Sequence, residues 1–198
     1  MREAEVIRKT NETDVAVKLN LDGTGVSEIN TGCGFLDHML TLFAKHSRID
    51  MTVSCKGDTW IDYHHTAEDV AISLGRAFSE ALATPDAMCG IRRYGDTTLP
   101  MDEALILSAV DISGRAYLDF AVEIPAYKVG DFDTELCEEF WSAFVREARI
   151  TLHVRKLAGK NSHHIIEGVF KSVARSLFDA LTKDARFGGD IPSTKGVI

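Results

Sequence analysis

The chain repeats itself. A five-residue segment, His64-His65-Thr66-Ala67-Glu68, returns 99 residues later as His163-His164-Ile165-Ile166-Glu167, in a chain of 198 residues. Apolar residues around the two copies also align without a gap: Met51-Thr52-Val53 with Ile150-Thr151-Leu152, Leu74 with Val173, and Phe78 with Leu177. A short motif can recur by chance, but a motif together with matched apolar flanks is much harder to obtain that way. We therefore predict two half-repeats, 1–92 and 93–198, related by a pseudo-twofold within one compact unit.

The hydrophobic pattern predicts the same elements in each half. Alternating residues indicate strands and apolar residues at helical spacing indicate helices. In the first half we expect strands at 3–9 and 14–21, a short strand after Asp22-Gly23, a helix at 35–46, a strand at 50–55 and a helix at 65–83. In the second half we expect strands near 103–112 and 115–124, a helix near 135–147, a strand at 149–155 and a helix near 164–183. This pattern predicts an α+β fold in which helices cover one face of each antiparallel or mixed sheet.

Composition excludes several classes of protein. The formal net charge is −8, whereas a nucleic-acid scaffold normally carries a basic face. No apolar run approaches the ~20 residues that span a bilayer, and the charged N-terminus has no apolar signal segment. Four widely spaced cysteines without a C-x-x-C motif are expected to be free thiols. We therefore expect a cytoplasmic protein, with an irregular tail over 187–198 that is mobile until a ligand binds.

The paired histidines carry the chemistry. On a helix, residues i and i+4 share a face and residues i and i+3 nearly do, so each glutamate can lie beside either histidine of its motif. Neighbouring helix positions differ by about 100°, so the two imidazoles of a pair point apart. One pair therefore more naturally serves two metals than one. Because one imidazole of each pair projects outward, we expect ligands from a neighbouring subunit to complete the sites.

Each predicted metal site needs a fourth ligand, and each half offers a different one. His153 precedes the second motif, and its 99-residue counterpart is Ser54. In the first half, His38 is available, and its counterpart is Cys137. A ligand set of imidazoles and carboxylates without thiolate fits Mn, Fe or Zn, and near-octahedral coordination with open positions favours Mn. His46 has no such context and is expected to be structural.

Six segments together resemble the imidazoleglycerol-phosphate dehydratase family, and the resemblance covers nearly the whole chain. They are Gly34–Leu40, His64–Asp69, Pro100–Ala104, Ser113–Arg115, Asn161–Glu167 and Pro192–Gly196. Departures from the family pattern are small: Cys33, Tyr94 and Ala116. The resemblance implies dehydration of D-erythro-imidazole-glycerol phosphate to imidazole-acetol phosphate in histidine biosynthesis. It also implies two Mn²⁺ ions per subunit and a closed shell of twenty-four chains built from trimers.

The resemblance also assigns roles to individual residues. It implies one metal set of His38, His65, Glu68 and His164, and a second of His64, His153, His163 and Glu167. Candidate catalytic groups are Glu12, Asp102 and Glu167, with Glu12 as the preferred base. The implied substrate contacts are Glu12 and His38, together with a phosphate-binding set of Arg93, Arg115, Lys171, Ser193 and Lys195.

Two other classes of function compete with this interpretation. The first is another metal-dependent enzyme, such as a dinuclear hydrolase, although such sites usually depend more on carboxylate ligands. The second is a metal-storage or RNA-binding module with a duplicated α+β fold. The negative charge opposes RNA binding, and storage would not require the Ser-Thr-Lys segment at 193–195.

Overall fold

The computed structural model describes residues 2–196 and contains the same four-stranded sheet twice. The first sheet has the order β1-β2-β4-β3, from β1 Glu3–Lys9, β2 Thr13–Asn20, β3 Ser27–Asn30 and β4 Asp50–Gly57. The second has the order β5-β6-β10-β7, from β5 Tyr94–Met101, β6 Ala104–Asp111, β7 Tyr117–Ala121 and β10 Thr151–Ala158. In both sheets the last strand in the order is parallel to its neighbour and the other pairs are antiparallel. A small hairpin, β8 Lys128–Val129 and β9 Phe132–Asp133, accompanies the second sheet.

The helices pack crosswise, meaning that a helix of one half contacts a helix of the other half. They are α1 Gly34–Ser47, α2 His64–Ala81, α3 Pro85–Met88, α4 Leu136–Ala148 and α5 Ser162–Leu181, followed by a 3₁₀ turn at Ala185–Phe187. Helix α2 covers β1 and β2 of its own sheet and packs against α4, while α5 covers β5 and β6 and packs against α1. Aromatic rings fill the α2–α4 contact, where Phe78 and Phe144 lie 5.8 Å apart. The predicted α+β fold with a duplicated half is confirmed.

The gap-free alignment at 99 residues is wrong outside the motif helices. The left-handed residues that end α1 and α4 are Arg48 and Arg149, which are 101 residues apart. The buried Ile49 and Ile150 follow them, so Met51 matches Leu152 and not Ile150. The connection before α5 is shorter than the connection before α2, and this restores the 99-residue spacing at the histidines. Consequently the counterpart of His153 is Thr52, and that of His38 is Glu139.

Strand β5 was missing from the sequence prediction. The inward positions of its sequence, YGDTTLPM, are Gly95, Thr97, Leu99 and Met101, and of these only Gly95 is buried. At Gly95, helix α5 lies so close to the strand backbone that an ideal Cβ there would stand 2.0 Å from the carbonyl oxygen of Ser176. A strand that contacts a helix through its backbone needs no alternating apolar side chains, so its pattern is weak.

The cysteine prediction is confirmed: Cys33, Cys55, Cys89 and Cys137 are all free. Burial raises the pKa of the Cys55 thiol to about 11, which keeps it protonated and inert. In the part of the chain that the structure describes, no helix is long and apolar enough to cross a membrane.

Candidate metal centre

The second motif opens helix α5. The side chain of Asn161 caps this helix and accepts hydrogen bonds from the backbone N–H groups of His163 and His164, so both histidines stand on the first turn. His163 Nε2 lies 3.2 Å from Glu167 Oε2. His38 Nε2, from α1, lies 3.6 Å from the same oxygen.

The ligand atoms of His38, His163 and Glu167 lie within 4.8 Å of one another. Burial raises the pKa of Glu167, but a hydrogen bond and the charge of Lys171 outweigh that effect and lower it. Glu167 therefore stays ionised although its side chain is only 8% exposed. Two imidazoles and one carboxylate at this spacing fit a divalent ion that accepts nitrogen and oxygen ligands.

The first motif opens helix α2, whose N-cap Tyr63 makes no side-chain capping bond; Asp62 instead accepts from the backbone N–H of His64 at 2.7 Å. His64 Nε2 lies 3.9 Å from Glu68 Oε2, at the same i,i+4 spacing as His163 and Glu167. Glu68 also lies 3.6 Å from the guanidinium of Arg146 on α4. The first histidine of each motif is thus the one that stands beside the motif's glutamate.

The second histidine of each motif is held between two other carboxylates. His65 Nδ1 lies 2.9 Å from Asp58 Oδ2, and its Nε2 lies 3.7 Å from Glu12 Oε1. Each of these histidines has its pKa raised, first by the hydrogen bond to the carboxylate at Nδ1. A carboxylate that accepts the Nδ1–H proton leaves the Nε2 lone pair free, as metal-binding histidines require.

The same arrangement recurs at His164. Its Nδ1 lies 2.7 Å from Glu103 Oε2, and its Nε2 lies 3.6 Å from Asp102 Oδ2. Asp58 and Glu103 were not among the predicted site residues. Their signal in the sequence is weak, because one ends strand β4 and the other lies in the β5–β6 turn, where acidic residues are common.

The divergence of paired imidazoles is confirmed. In each pair the first histidine lies beside the glutamate of its own motif, and the second contacts a carboxylate outside the motif. The implied ligand sets are not assembled within one chain, however. Glu68 lies beside His64 and not His65, because i,i+4 places the two side chains together while His65 turns to Asp58. His38 lies with His163 and Glu167, although the resemblance placed it in the other set.

The remaining predicted ligand stands apart. His153 lies on β10 with its Nδ1 3.4 Å from Asp119 Oδ2 and its ring 5.6 Å from that of Tyr117. Within residues 2–196 it makes no hydrogen bond or ion pair to either motif. Among the described residues, a single subunit therefore holds one three-ligand cluster, and the other predicted ligands stand apart from it.

The predicted phosphate contacts converge on a separate cavity of about 320 Å³. Its lining includes Arg93, Ser113, Arg115, Ser193 and Lys195. Arg93 has left-handed backbone (φ 70°) and binds Asp111 through two nitrogens, at 2.7 and 3.2 Å. A third nitrogen donates to the carbonyl oxygen of Pro192 at 2.9 Å, which attaches the tail to the cavity.

Lys171 is the predicted phosphate contact that this cavity lacks. Its ammonium lies 2.5 Å from Glu167 Oε1, beside the metal-ligand cluster. Asp111, which lies beneath both arginines, was also missed by the sequence prediction. Of the tail expected to be mobile, residues 197 and 198 lie outside the described residues, and its mobility stays a prediction.

Comparison with known proteins decides between the classes of function. The family model for imidazoleglycerol-phosphate dehydratase matches residues 31–177. An imidazoleglycerol-phosphate dehydratase of Desulforamulus reducens is 54% identical over 197 residues, which cover 100% of this chain and 98% of the relative. That of Nitrobacter hamburgensis is 55% identical over 99% of this chain and 98% of the relative. The chain belongs to the imidazoleglycerol-phosphate dehydratase family.

Solved structures agree with this assignment. The imidazoleglycerol-phosphate dehydratase of Staphylococcus aureus has a TM-score of 0.83 at 41% identity, covering 92% of this chain and 99% of that one. The Pyrococcus furiosus enzyme, solved in complex with (S)-C348, has a TM-score of 0.82 at 36% identity, covering 98% and 100%. The dehydratase is therefore a hydro-lyase of histidine biosynthesis, and this family, not a dinuclear hydrolase or a storage or RNA-binding module, is the class of function that the comparisons support.

Proposed function

We propose that this dehydratase converts D-erythro-imidazole-glycerol phosphate to imidazole-acetol phosphate with two Mn²⁺ ions per subunit, which hold the substrate ring as imidazolate. The observation that carries the proposal is the arrangement repeated at the starts of α2 and α5. In each, one histidine stands beside the motif's glutamate, and the other is held at Nδ1 by a second carboxylate. A five-membered ring with two nitrogens matches a pair of such sites. When bound, the metals supply Lewis acidity that stabilises negative charge on the ring.

The eight proposed ligands are His38, His64, His65, Glu68, His153, His163, His164 and Glu167. The cluster of His38, His163 and Glu167 supports one site. His65 and His164 are half-buried and belong to no three-ligand cluster among the described residues, which supports ligation from outside the subunit. Because the remaining ligands lie apart in one chain, we propose that neighbouring subunits complete both sites. The proposed assembly is a closed shell of twenty-four chains built from trimers, in which one repeated interface serves every subunit.

The proton must leave a carbon next to the ring, so the base must lie close to the metal-held imidazole. Glu12 fits this role: its carboxylate is 53% exposed and lies 3.7 Å from His65 Nε2. Asp102 occupies the corresponding place at His164 but is 71% exposed. Glu167 is held by Lys171 and His163, which suits a ligand better than a base.

The substrate's phosphate requires fixed cationic donors and hydroxyls. Arg93, Arg115, Ser193 and Lys195 supply these around one cavity, and His38 and Lys171 complete the proposed substrate contacts from the metal end. We also propose a cytoplasmic location, which the four free thiols support.

The test is metal analysis and turnover of the same protein preparation. We expect about two Mn²⁺ ions per chain at saturation and loss of turnover when they are removed. His163→Ala should lose metal, whereas Asp14→Asn, a control at an exposed carboxylate that pairs with Lys9, should retain both ions. One ion per chain at saturation, or full turnover by metal-free protein, would contradict the two-metal proposal.

A further inference from the structure

A buried polar cluster ties the β1–β2 hairpin to helix α2. The hydroxyl of Thr13 donates to Asp69 Oδ2 at 2.5 Å, and the guanidinium of Arg8 pairs with the same carboxylate. Thr13 is 3% exposed and Asp69 is 6% exposed. We name Arg8, Thr13 and Asp69 the hairpin cluster.

Two residues of the hairpin cluster lie close in sequence to residues of the candidate site. Thr13 directly follows Glu12, and Asp69 follows His65 by one helical turn on the same face of α2. Neighbouring hairpin residues therefore contact neighbouring turns of the helix: Glu12 faces His65 and Thr13 binds Asp69. The backbone N–H of Asp58 also donates to the carbonyl oxygen of Glu12 at 3.1 Å.

The second half has the same hairpin without this cluster. There, Gly168 stands where α2 has Asp69, and an ideal Cβ on it would lie 2.8 Å from Ile106. Ala104 and Leu99 occupy the places of Thr13 and Arg8. The fold is therefore compatible with an apolar contact at this position.

The β5–β6 hairpin is held by its own carboxylate instead. Glu103 Oε1 accepts from the backbone N–H groups of Lys160 and Asn161, at 3.1 and 2.8 Å. Its other oxygen binds His164. Glu12, by contrast, has no hydrogen bond to its carboxylate within residues 2–196, so its position depends on the groups around it.

Stability alone gives little reason for an Arg–Asp pair whose carboxylate is buried and whose arginine is half-buried, since apolar replacements of buried pairs are often neutral or stabilising. We propose that Asp69, acting through Thr13, is a positioning residue that holds the Glu12 carboxylate at the reacting end of the site. This rests on the proposed role of Glu12. A displacement of about 1 Å in a reacting group can cost up to about a hundredfold in rate.

The test combines Thr13→Val, which keeps shape and removes the hydroxyl, with Glu12→Gln. We expect Thr13→Val to lower kcat about tenfold, which is within the loss of rate that misplacement of a reacting group can cause. Its KM should stay within about twofold of the wild-type value, and its metal content should be unchanged. Thr13→Ser should restore kcat. In the Glu12→Gln background, Thr13→Val should have no further effect on kcat, because the group that it positions is already gone.

Two further variants separate positioning from folding. Asp69→Asn keeps an acceptor for Thr13 and weakens the contact with Arg8, so its kcat should lie between those of wild type and Thr13→Val. Ser176→Ala removes a buried hydroxyl contact to Ser108 in the second half and should lower the melting temperature but not kcat.

The outcomes that overturn the inference are distinct. Wild-type kcat in Glu12→Gln would remove Glu12 from the proposed function and this inference with it. An impaired Glu12→Gln with an equal loss from Thr13→Val in both backgrounds, or wild-type kcat in Thr13→Val, would overturn the positioning role alone.

Discussion

Asp58 should control the affinity of one metal site and not the other. Its carboxylate is buried and accepts from His65 at 2.9 Å, and its second oxygen has no hydrogen-bond partner among the described residues. A hydrogen bond to a charged group contributes about 1.5–3 kcal/mol, and a neutral one about 0.5–1.5 kcal/mol. The Asp58→Asn variant can keep a neutral hydrogen bond to His65. Its metal binding should therefore weaken by about 1–1.5 kcal/mol, which is roughly tenfold in affinity. The Asp58→Ala variant loses the hydrogen bond altogether, and its affinity for the metal should fall by up to about a hundredfold.

The assay is calorimetric titration of metal-stripped protein with Mn²⁺. We expect one of two binding phases to weaken in the order wild type, Asn, Ala, while the other phase keeps its affinity. Glu103→Gln should weaken the phase to which His164 contributes. Asp14→Asn, an exposed carboxylate on β2 that pairs with Lys9, serves as the control. Unchanged affinity in Asp58→Ala would refute the argument that this carboxylate orients His65 for the metal.

Three more predictions follow from other parts of the molecule. Lys195→Ala should raise KM about tenfold with metal content intact, because losing one charged contact to the phosphate costs about 1.4 kcal/mol. Steady-state kinetics will check this, with Lys183→Ala as the control. Chelation, or acidification below the histidine pKa of ~6.5, should reduce the particle to small oligomers, with Mn²⁺ restoring size and activity together; light scattering that shows an intact particle without metal would contradict it. The hydrogen bond from Arg2 lowers the pKa of Asp22, so its stabilisation is present above the unfolded value of 3.8 and is lost as pH falls through the folded pKa. Asp22→Asn should therefore reduce the free energy of unfolding by about 1 kcal/mol at neutral pH, the low end for a half-exposed partner, and the difference should vanish in urea melts at low pH.

The sequence predicted the elements whose side chains form a periodic apolar face. Helices α2 and α5 and the alternating strands β1, β2 and β4 lie within a few residues of their expected positions. Strand β5 could not be found in this way, since Gly95 presents backbone to α5 where a buried side chain would otherwise mark the strand.

The site was predictable as far as residue type and helix geometry reach. Periodicity places the two imidazoles of a pair on diverging faces, and the structure confirms it through their separate partners. It does not decide between i+3 and i+4 partners, which depends on a third group such as Asp58 drawing His65 away. The i,i+4 spacing of Glu167 and Lys171 on α5 could have predicted their ion pair, but the resemblance assigned Lys171 to the phosphate instead.

The crosswise helix packing has a consequence for the origin of the fold. Because α2 rests on α4 and α5 rests on α1, neither half can bury its helices without the other. A half-length ancestor with one sheet and two helices would have exposed an apolar layer unless it paired with an identical copy. Tandem duplication of such a homodimer would give a single chain in which the two copies of each side chain are free to diverge. Fragments 1–92 and 93–198 should accordingly be unfolded when separate and fold upon mixing.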